Sequence, residues 1–109
     1  MTHEQIQSAR RQVVRTARAM LALETNFLLG ARQLASLLNQ AGLPENDKDF
    51  MTFAGIDSET DDLPLGDVRQ QWDAQALAKL QPDIDAAEEW ARDFGELACL
   101  ALIKRFGED

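Results

Sequence analysis

Residues 3–41 read HEQIQSARRQVVRTARAMLALETNFLLGARQLASLLNQA, and this stretch decides the fold. Its apolar side chains recur every seven residues without a change of phase, at Ile6, Val13, Met20, Phe27, Leu34 and Ala41. A second apolar column beside the first makes a stripe wide enough to face a core. Thr2 and Gln5 can form a capping box at its start. We therefore predict one long helix over residues 3–41, with any bend near Asn26 or Gly30.

Capping and stop signals predict further helices over residues 46–55, 67–82 and about 83–106. Asn46 and Asp67 can cap the first two, and Pro82 is expected to end the second. The spacing of the last helix predicts its core side: Ile84, Ala87, Ala91, Phe94, Ala98 and Ala101. Since no strand alternation occurs, we predict an all-α helical bundle that forms a single domain over residues 1–109. In this bundle the long N-terminal helix packs with two to three further helices.

The acidic stretch D-S-E-T-D-D-L-P-L-G-D, residues 57–67, carries five carboxylates. Asp57, Glu59 and Asp61 match the first, third and fifth positions of an EF-hand calcium loop. The glycine that the loop needs at its sixth position is Asp62 here, and the glutamate at its twelfth is Val68. We therefore predict a turn between helices without a functional metal site, and weak divalent binding is the alternative.

The net charge of −8 argues against partners that carry phosphate backbones. Residues 42–67 are the most acidic segment, with eight acidic residues against Lys48. The basic cluster of Arg10, Arg11, Arg15 and Arg18 has no aromatic neighbour in sequence on which a base could stack. The longest apolar run, residues 97–103, is far shorter than a membrane span. We expect neither a nucleic acid nor a membrane as a partner.

The sequence offers little material for catalysis. The only histidine, His3, lies next to the N-terminus, and the only cysteine, Cys99, lies on a predicted helix. We therefore expect a non-enzymatic protein without a cofactor. A single cysteine and a start without a signal peptide favour a cytoplasmic location.

Acidic pairs on the last predicted helix allow one enzymatic alternative. All-helical nucleotide pyrophosphohydrolases hold Mg²⁺ with such pairs, and the nearest here are Asp85/Glu88 and Asp93/Glu96. At about 100° per residue, most of these carboxylates point away from the predicted core side, and Glu88 can pair with Arg92. A solvated face is the preferred interpretation.

Residues 56–72 read I-D-S-E-T-D-D-L-P-L-G-D-V-R-Q-Q-W, and this tract resembles small bacterial proteins classed only as domains of unknown function. The resemblance covers about a sixth of the chain and implies a bacterial source. It implies no activity and no site residues.

Glu24 interrupts the apolar stripe of the predicted long helix, and Arg10 lies on the same line fourteen residues earlier. A carboxylate buried there is costly without a partner. An antiparallel homodimer with its two-fold axis near Ala17 would pair Arg10 of one chain with Glu24 of the other. Phe27, Leu100 and Ile103 complete the predicted interface. We thus predict a homodimeric protein–protein interaction module; the alternative is an acidic inhibitor of a basic protein, similar to an immunity protein or antitoxin.

Overall fold

All regular structure is helical in the computed structural model, which describes residues 2–107. The elements are α1 (His3–Leu21), α2 (Phe27–Gln40), α3 (Lys48–Thr60), a 3-10 helix (Gly66–Gln71) and α4 (Ala74–Phe106). The predicted all-α bundle is confirmed. Its long helix is the last one, and the molecule measures 46 × 26 × 25 Å because the 33-residue α4 extends along it.

The N-terminal stretch forms two helices, so the prediction of one continuous helix is wrong. The predicted capping box of Thr2 and Gln5 starts α1. The chain turns at Leu23, whose φ is +63°, and Asn26 starts α2 by accepting hydrogen bonds from the amides of Leu28 and Leu29. These amides are thereby satisfied without a continuous helix. The seven-residue spacing continues across the loop because the apolar side chains of both helices face the same core.

The two helices form an antiparallel hairpin. Arg10 near the start of α1 donates from Nε to the carbonyl of Ala41, which follows α2, over 3.2 Å. At the other end of the hairpin, Met20 packs against Gly30. Residues that were predicted to lie along one continuous helix therefore face each other across the hairpin.

α4 continues through Pro82, where the sequence predicted a boundary between two helices. Pro82 cannot donate a hydrogen bond to the carbonyl of Ala78, but both residues are exposed, so water can satisfy that carbonyl. Asp73 caps α4 by accepting from the amide of Ala76. The predicted cap, Asp67, instead lies in the 3-10 helix, which has no side-chain cap.

The acidic stretch begins inside a helix. Asp47 caps α3, which runs through Gly55 to Thr60. Residues 57–60 are thus helical, and the predicted turn is limited to the segment between α3 and the 3-10 helix. Arg32 of α2 holds this end of α3, since it donates to the carbonyls of Thr60 and Leu63.

The core lies between the hairpin and one side of α3 and α4. Small residues let α4 come close: a Cβ on Gly95 would lie 3.1 Å from both Ile56 and Phe27. The fully buried side chains of the core include Val13, Ala17, Met20, Phe27, Leu28, Ala31, Leu34, Leu38, Ala41, Phe53, Ile56, Ala91, Cys99 and Leu102. The opposite side of α4 is left uncovered.

Candidate interaction surface

Two of the predicted interface residues lie inside the chain's own core. Ala17 and Phe27 are fully buried, because the hairpin folds the apolar column inward. Glu24 lies exposed in the loop between α1 and α2, and Arg10 contacts Ala41 and the ring of Phe106. A two-fold axis at Ala17 that joins Arg10 to Glu24 is therefore incompatible with this fold. A dimer would have to use another surface.

The other two residues of the predicted interface lie on α4. Ile103 is partly buried and packs against the core, whereas Leu100 is half exposed. Leu100 belongs to a set of large apolar side chains on the uncovered side of α4, which we name the outer stripe. It consists of Trp90, Phe94, Leu97 and Leu100, which are 42%, 54%, 78% and 49% exposed.

Helical spacing explains why these side chains lie together. Residues 90, 94 and 97 follow the i, i+4, i+7 pattern that defines one helix face, and residue 100 lies beside it. Between residues 91 and 99, the buried face of α4 is formed by smaller residues: Ala91, Gly95, Ala98 and Cys99. The rings of Trp90 and Phe94 are stacked, with centroids 5.5 Å apart and planes 13° from parallel. The two rings at this end of the outer stripe therefore pack against each other within the single chain.

A groove of about 340 Å³ runs between the outer stripe and α3. Its walls are Trp90 and Phe94 on one side and Gly55, Ser58 and Glu59 on the other. A Cβ on Gly55 would meet nothing within 4 Å, so the glycine leaves the groove open. Met51, one turn earlier on α3, is 58% exposed. The apolar surface therefore extends from α4 onto α3.

Charged side chains surround the outer stripe. Asp83, Asp93 and Glu96 are exposed along α4, and Lys104 is exposed near its C-terminal end. Acidic residues outnumber basic ones along the described α4, and the two cations near the apolar segment are Arg92, which pairs with Glu88, and Lys104, which lies beyond its C-terminal end. Because the charges are unevenly placed, the direction of a partner helix decides whether opposite or like charges meet across the contact.

Ion pairs hold α4 against α3. Arg105 contacts Asp47 and Asp49 at the start of α3, both at 2.9 Å. The hydrogen bond from Arg105 holds the pKa of Asp47 below its ordinary value, and the same pair raises the pKa of Arg105. A hydrogen bond and a nearby opposite charge each favour the charged forms.

A second contact joins α4 to the hairpin loop. Arg92 lies over the ring of Phe27 and 3.5 Å from Glu88, as the predicted i, i+4 pair requires. Glu88 also accepts a hydrogen bond from the side chain of Asn26 over 2.9 Å. Arg92 was expected on the solvated face, but its position over Phe27 shows that it covers the edge of the core. These contacts place the outer stripe on a fixed scaffold.

The residues weighed for metal binding are not gathered in one place. Within residues 2–107, no group of three or more His, Cys, Asp or Glu side chains is positioned to hold a metal ion. Asp85, Asp93 and Glu96 are exposed, and Glu88 is engaged with Asn26 and Arg92. Asp57 of the acidic stretch lies 3.6 Å from Arg32.

The two residues considered for nucleophilic chemistry lie in different environments. His3 is exposed in the first turn of α1, and Cys99 is fully buried in the core. Burial raises the pKa of the Cys99 thiol to about 12. The thiolate is therefore disfavoured at neutral pH, and Cys99 fills space in the core.

The outer stripe was missed because the spacing of α4 allows more than one apolar face. Phe94 was assigned to the core side, but it is 54% exposed. Gly95 and Cys99 are the residues that face the core instead. The signal that could have found the stripe is the run of three bulky residues at 90, 94 and 97 beside a face of small ones.

No protein-family model matches the chain, and comparisons with curated proteins and with solved structures find no similar protein. The resemblance of residues 56–72 to bacterial proteins stays a prediction. In the part of the chain that the structure describes, none of the helices combines the length and the apolar character needed to cross a bilayer.

Proposed function

We propose that this chain is a non-catalytic protein–protein interaction module that acts as a homodimer, with the outer stripe as its contact surface. The observation that carries this proposal is the exposure of four large apolar side chains on one face of the longest helix. Contiguous apolar surface of this kind is typical of protein interaction sites, because water solvates it poorly. The aromatic residues Trp90 and Phe94 supply the anchors that such surfaces commonly use.

A second copy of the chain fits the stripe when the two α4 helices run antiparallel. A two-fold axis at the middle of the stripe, between Asp93 and Phe94, places Trp90 of one copy opposite Leu97 of the other. The same axis places Lys104 opposite Asp83, so each end of the contact joins opposite charges. A parallel pairing would instead oppose each of these charged residues to its own copy. Charge complementarity therefore favours the antiparallel homodimer.

Sedimentation equilibrium of two matched variants tests the proposal. Leu97→Glu places a charge in the centre of the contact and should give a particle of 12.2 kDa, whereas the unmodified chain should give twice that mass at tens of micromolar. Leu23→Glu is the control, since Leu23 is 72% exposed and lies in the α1–α2 loop. Circular dichroism verifies that both variants remain folded. A monomeric unmodified chain, or equal dimerisation of both variants, would contradict the proposal.

The acidic surroundings of the stripe favour a second candidate. Asp83, Asp93, Glu96 and Glu59 would attract a basic protein, as expected for an inhibitor similar to an immunity protein or antitoxin. Salt screens such attraction between exposed charges. Capture of a basic partner from a lysate at low salt, its loss at high salt, and its loss with Leu97→Glu would support this function. Capture that is independent of salt would contradict it.

A further inference from the structure

A second surface feature lies on α1, away from the outer stripe. Three arginines of α1, Arg11, Arg15 and Arg18, line a groove of about 450 Å³. The remaining walls are Val14, Ala19, Glu24, Phe106 and Gly107. The groove therefore combines a row of guanidinium groups with an apolar wall. Its volume lies within the range of roughly 300–1,000 Å³ that small-molecule pockets occupy.

The fold makes little use of these three arginines. Arg11, Arg15 and Arg18 are exposed and form no ion pair with any residue in the range 2–107. Their spacing along the helix is i, i+4, i+7, so neighbouring guanidinium groups lie on one face and repel each other. Three such cations side by side in a chain of net charge −8 favour an external anion.

The other described arginines serve as a contrast. Arg10 donates to Ala41, Arg32 to Thr60 and Arg69 to Gln81, whereas Arg92 lies over Phe27 and Arg105 pairs with Asp47. Each of them joins two elements of the fold. Among residues 2–107, the three groove arginines form no side-chain hydrogen bond or ion pair of this kind.

We propose that this groove binds a small organic anion that carries phosphate or several carboxylates. Guanidinium groups donate paired hydrogen bonds that match the oxygens of both groups, and three of them suit a multivalent anion. Val14 and Ala19 supply an apolar wall for the organic part. Glu24 lies in the same groove and opposes a negative ligand, which sets a limit on affinity. This inference does not depend on the proposed dimer.

Nucleic acid is a poorer fit than a small anion. The aromatic residue in the groove is Phe106, and its ring is already contacted by the guanidinium groups of Arg10 at 5.1 Å and Arg105 at 5.3 Å. Single-stranded nucleic acid is usually held by bases that stack on free aromatic rings. The groove offers the charge but not a free ring.

Isothermal titration calorimetry with pyrophosphate and with citrate, at constant ionic strength, tests the site. We expect saturable 1:1 binding that Arg15→Gln weakens about tenfold or more, since the substitution removes charge-assisted hydrogen bonds to the anion. Glu24→Gln should tighten binding several-fold, because it removes the opposing carboxylate. Lys79→Gln, an exposed substitution on α4 with the same charge change as Arg15→Gln, should leave binding unchanged.

Comparison of the two probes identifies the class of anion that the groove prefers. Tighter binding of pyrophosphate identifies a phosphate ligand, and tighter binding of citrate identifies a polycarboxylate; either outcome supports the site. Absence of saturable binding, or binding that Arg15→Gln leaves unchanged, would overturn it. So would a single-stranded oligonucleotide that binds more tightly than both probes. Binding that appears only when Glu108→Gln and Asp109→Asn are introduced would also overturn it, since the arginines would then serve the chain's own acidic residues.

Discussion

Met20 packs directly against the backbone of Gly30: a Cβ carbon at position 30 would overlap Cγ of Met20 and lie 2.6 Å from its Sδ. Met20 is fully buried, and no real Cβ approaches another carbon so closely. The missing side chain of Gly30 therefore sets the distance between α1 and α2. The glycine costs helix propensity, about 1 kcal/mol relative to alanine, but it permits the hairpin.

Gly30→Ala should destabilise the fold although it improves helix propensity. Overpacking a filled core costs about 1–3 kcal/mol, which outweighs the gain of about 1 kcal/mol or less. Urea denaturation in the Leu97→Glu background measures the change without a contribution from self-association. Gly55→Ala is the control, since nothing lies within 4 Å of its Cβ, and it should stabilise the chain. Equal stabilisation by both substitutions would contradict the close contact between Met20 and Gly30.

The sequence predicts the helical class well, because period and caps are local properties. Thr2 and Gln5 form the expected capping box, and the heptad column of residues 6–41 is buried along most of its length. The break at Leu23 was not predicted, because an apolar column that continues in phase across the loop looks the same in one helix and in a hairpin. Asn26 carried the useful signal, since its side chain caps α2.

The surface was less predictable than the fold, because it depends on which side of α4 the other helices cover. Phe94 and Ala98 both fit the spacing of a core face. Ala98 is buried and Phe94 is exposed because α2 and α3 pack against α4 at Gly95. Similarly, the partner of Arg10 is Ala41, thirty-one residues away, and no local pattern indicates it. Leu100 is the predicted interface residue that the fold leaves half exposed.

Arg105→Gln should weaken the fold near neutral pH by about 1 kcal/mol or less, because Arg105 is 39% exposed and water screens its ion pairs. The folded pKa of Asp47 lies below the ordinary value of 3.8, so its contribution is complete above that pH and is lost as the pH falls through the lowered pKa. The difference between the two proteins should therefore shrink in acid. Urea denaturation across this range measures it.

Lys79→Gln removes a positive charge elsewhere on α4 and serves as the control for this experiment. Its effect on stability should be small, since Lys79 forms no ion pair with the described residues. A stability difference for Arg105→Gln that is the same at neutral and at strongly acidic pH would show that the Asp47 pair is not its cause.

Cys99 should react slowly with Ellman's reagent in the folded protein. The side chain is fully buried and its thiol pKa is raised to about 12, so reaction requires opening of the core. The rate should follow the open population, with a tenfold increase for each loss of about 1.4 kcal/mol in stability. Gly30→Ala should thus speed the reaction, and full denaturation should make it fast. Rapid labelling of the fully folded chain would contradict the burial of Cys99.

The direction of the proposed dimer can be tested through its end charges. In the antiparallel pairing, Asp83 of each copy faces Lys104 of the other, so Asp83→Lys would replace two attractive pairs with two repulsive ones. Exposed pairs are worth up to about 1 kcal/mol each, which predicts a dissociation constant roughly tenfold higher. Lys104→Asp should have a similar effect, and the two substitutions together should restore the dimer. Sedimentation equilibrium at low salt provides the measurement.

The sign of the effect separates this pairing from general repulsion between acidic chains. Asp83→Lys makes a chain of net charge −8 less negative, so long-range electrostatics alone would strengthen association. Glu45→Lys, an exposed change of equal charge in the α2–α3 loop, reports that general effect. We expect Glu45→Lys to strengthen the dimer slightly and Asp83→Lys to weaken it. Strengthening by both would mean that Asp83 does not face Lys104, and the antiparallel arrangement would have to be abandoned.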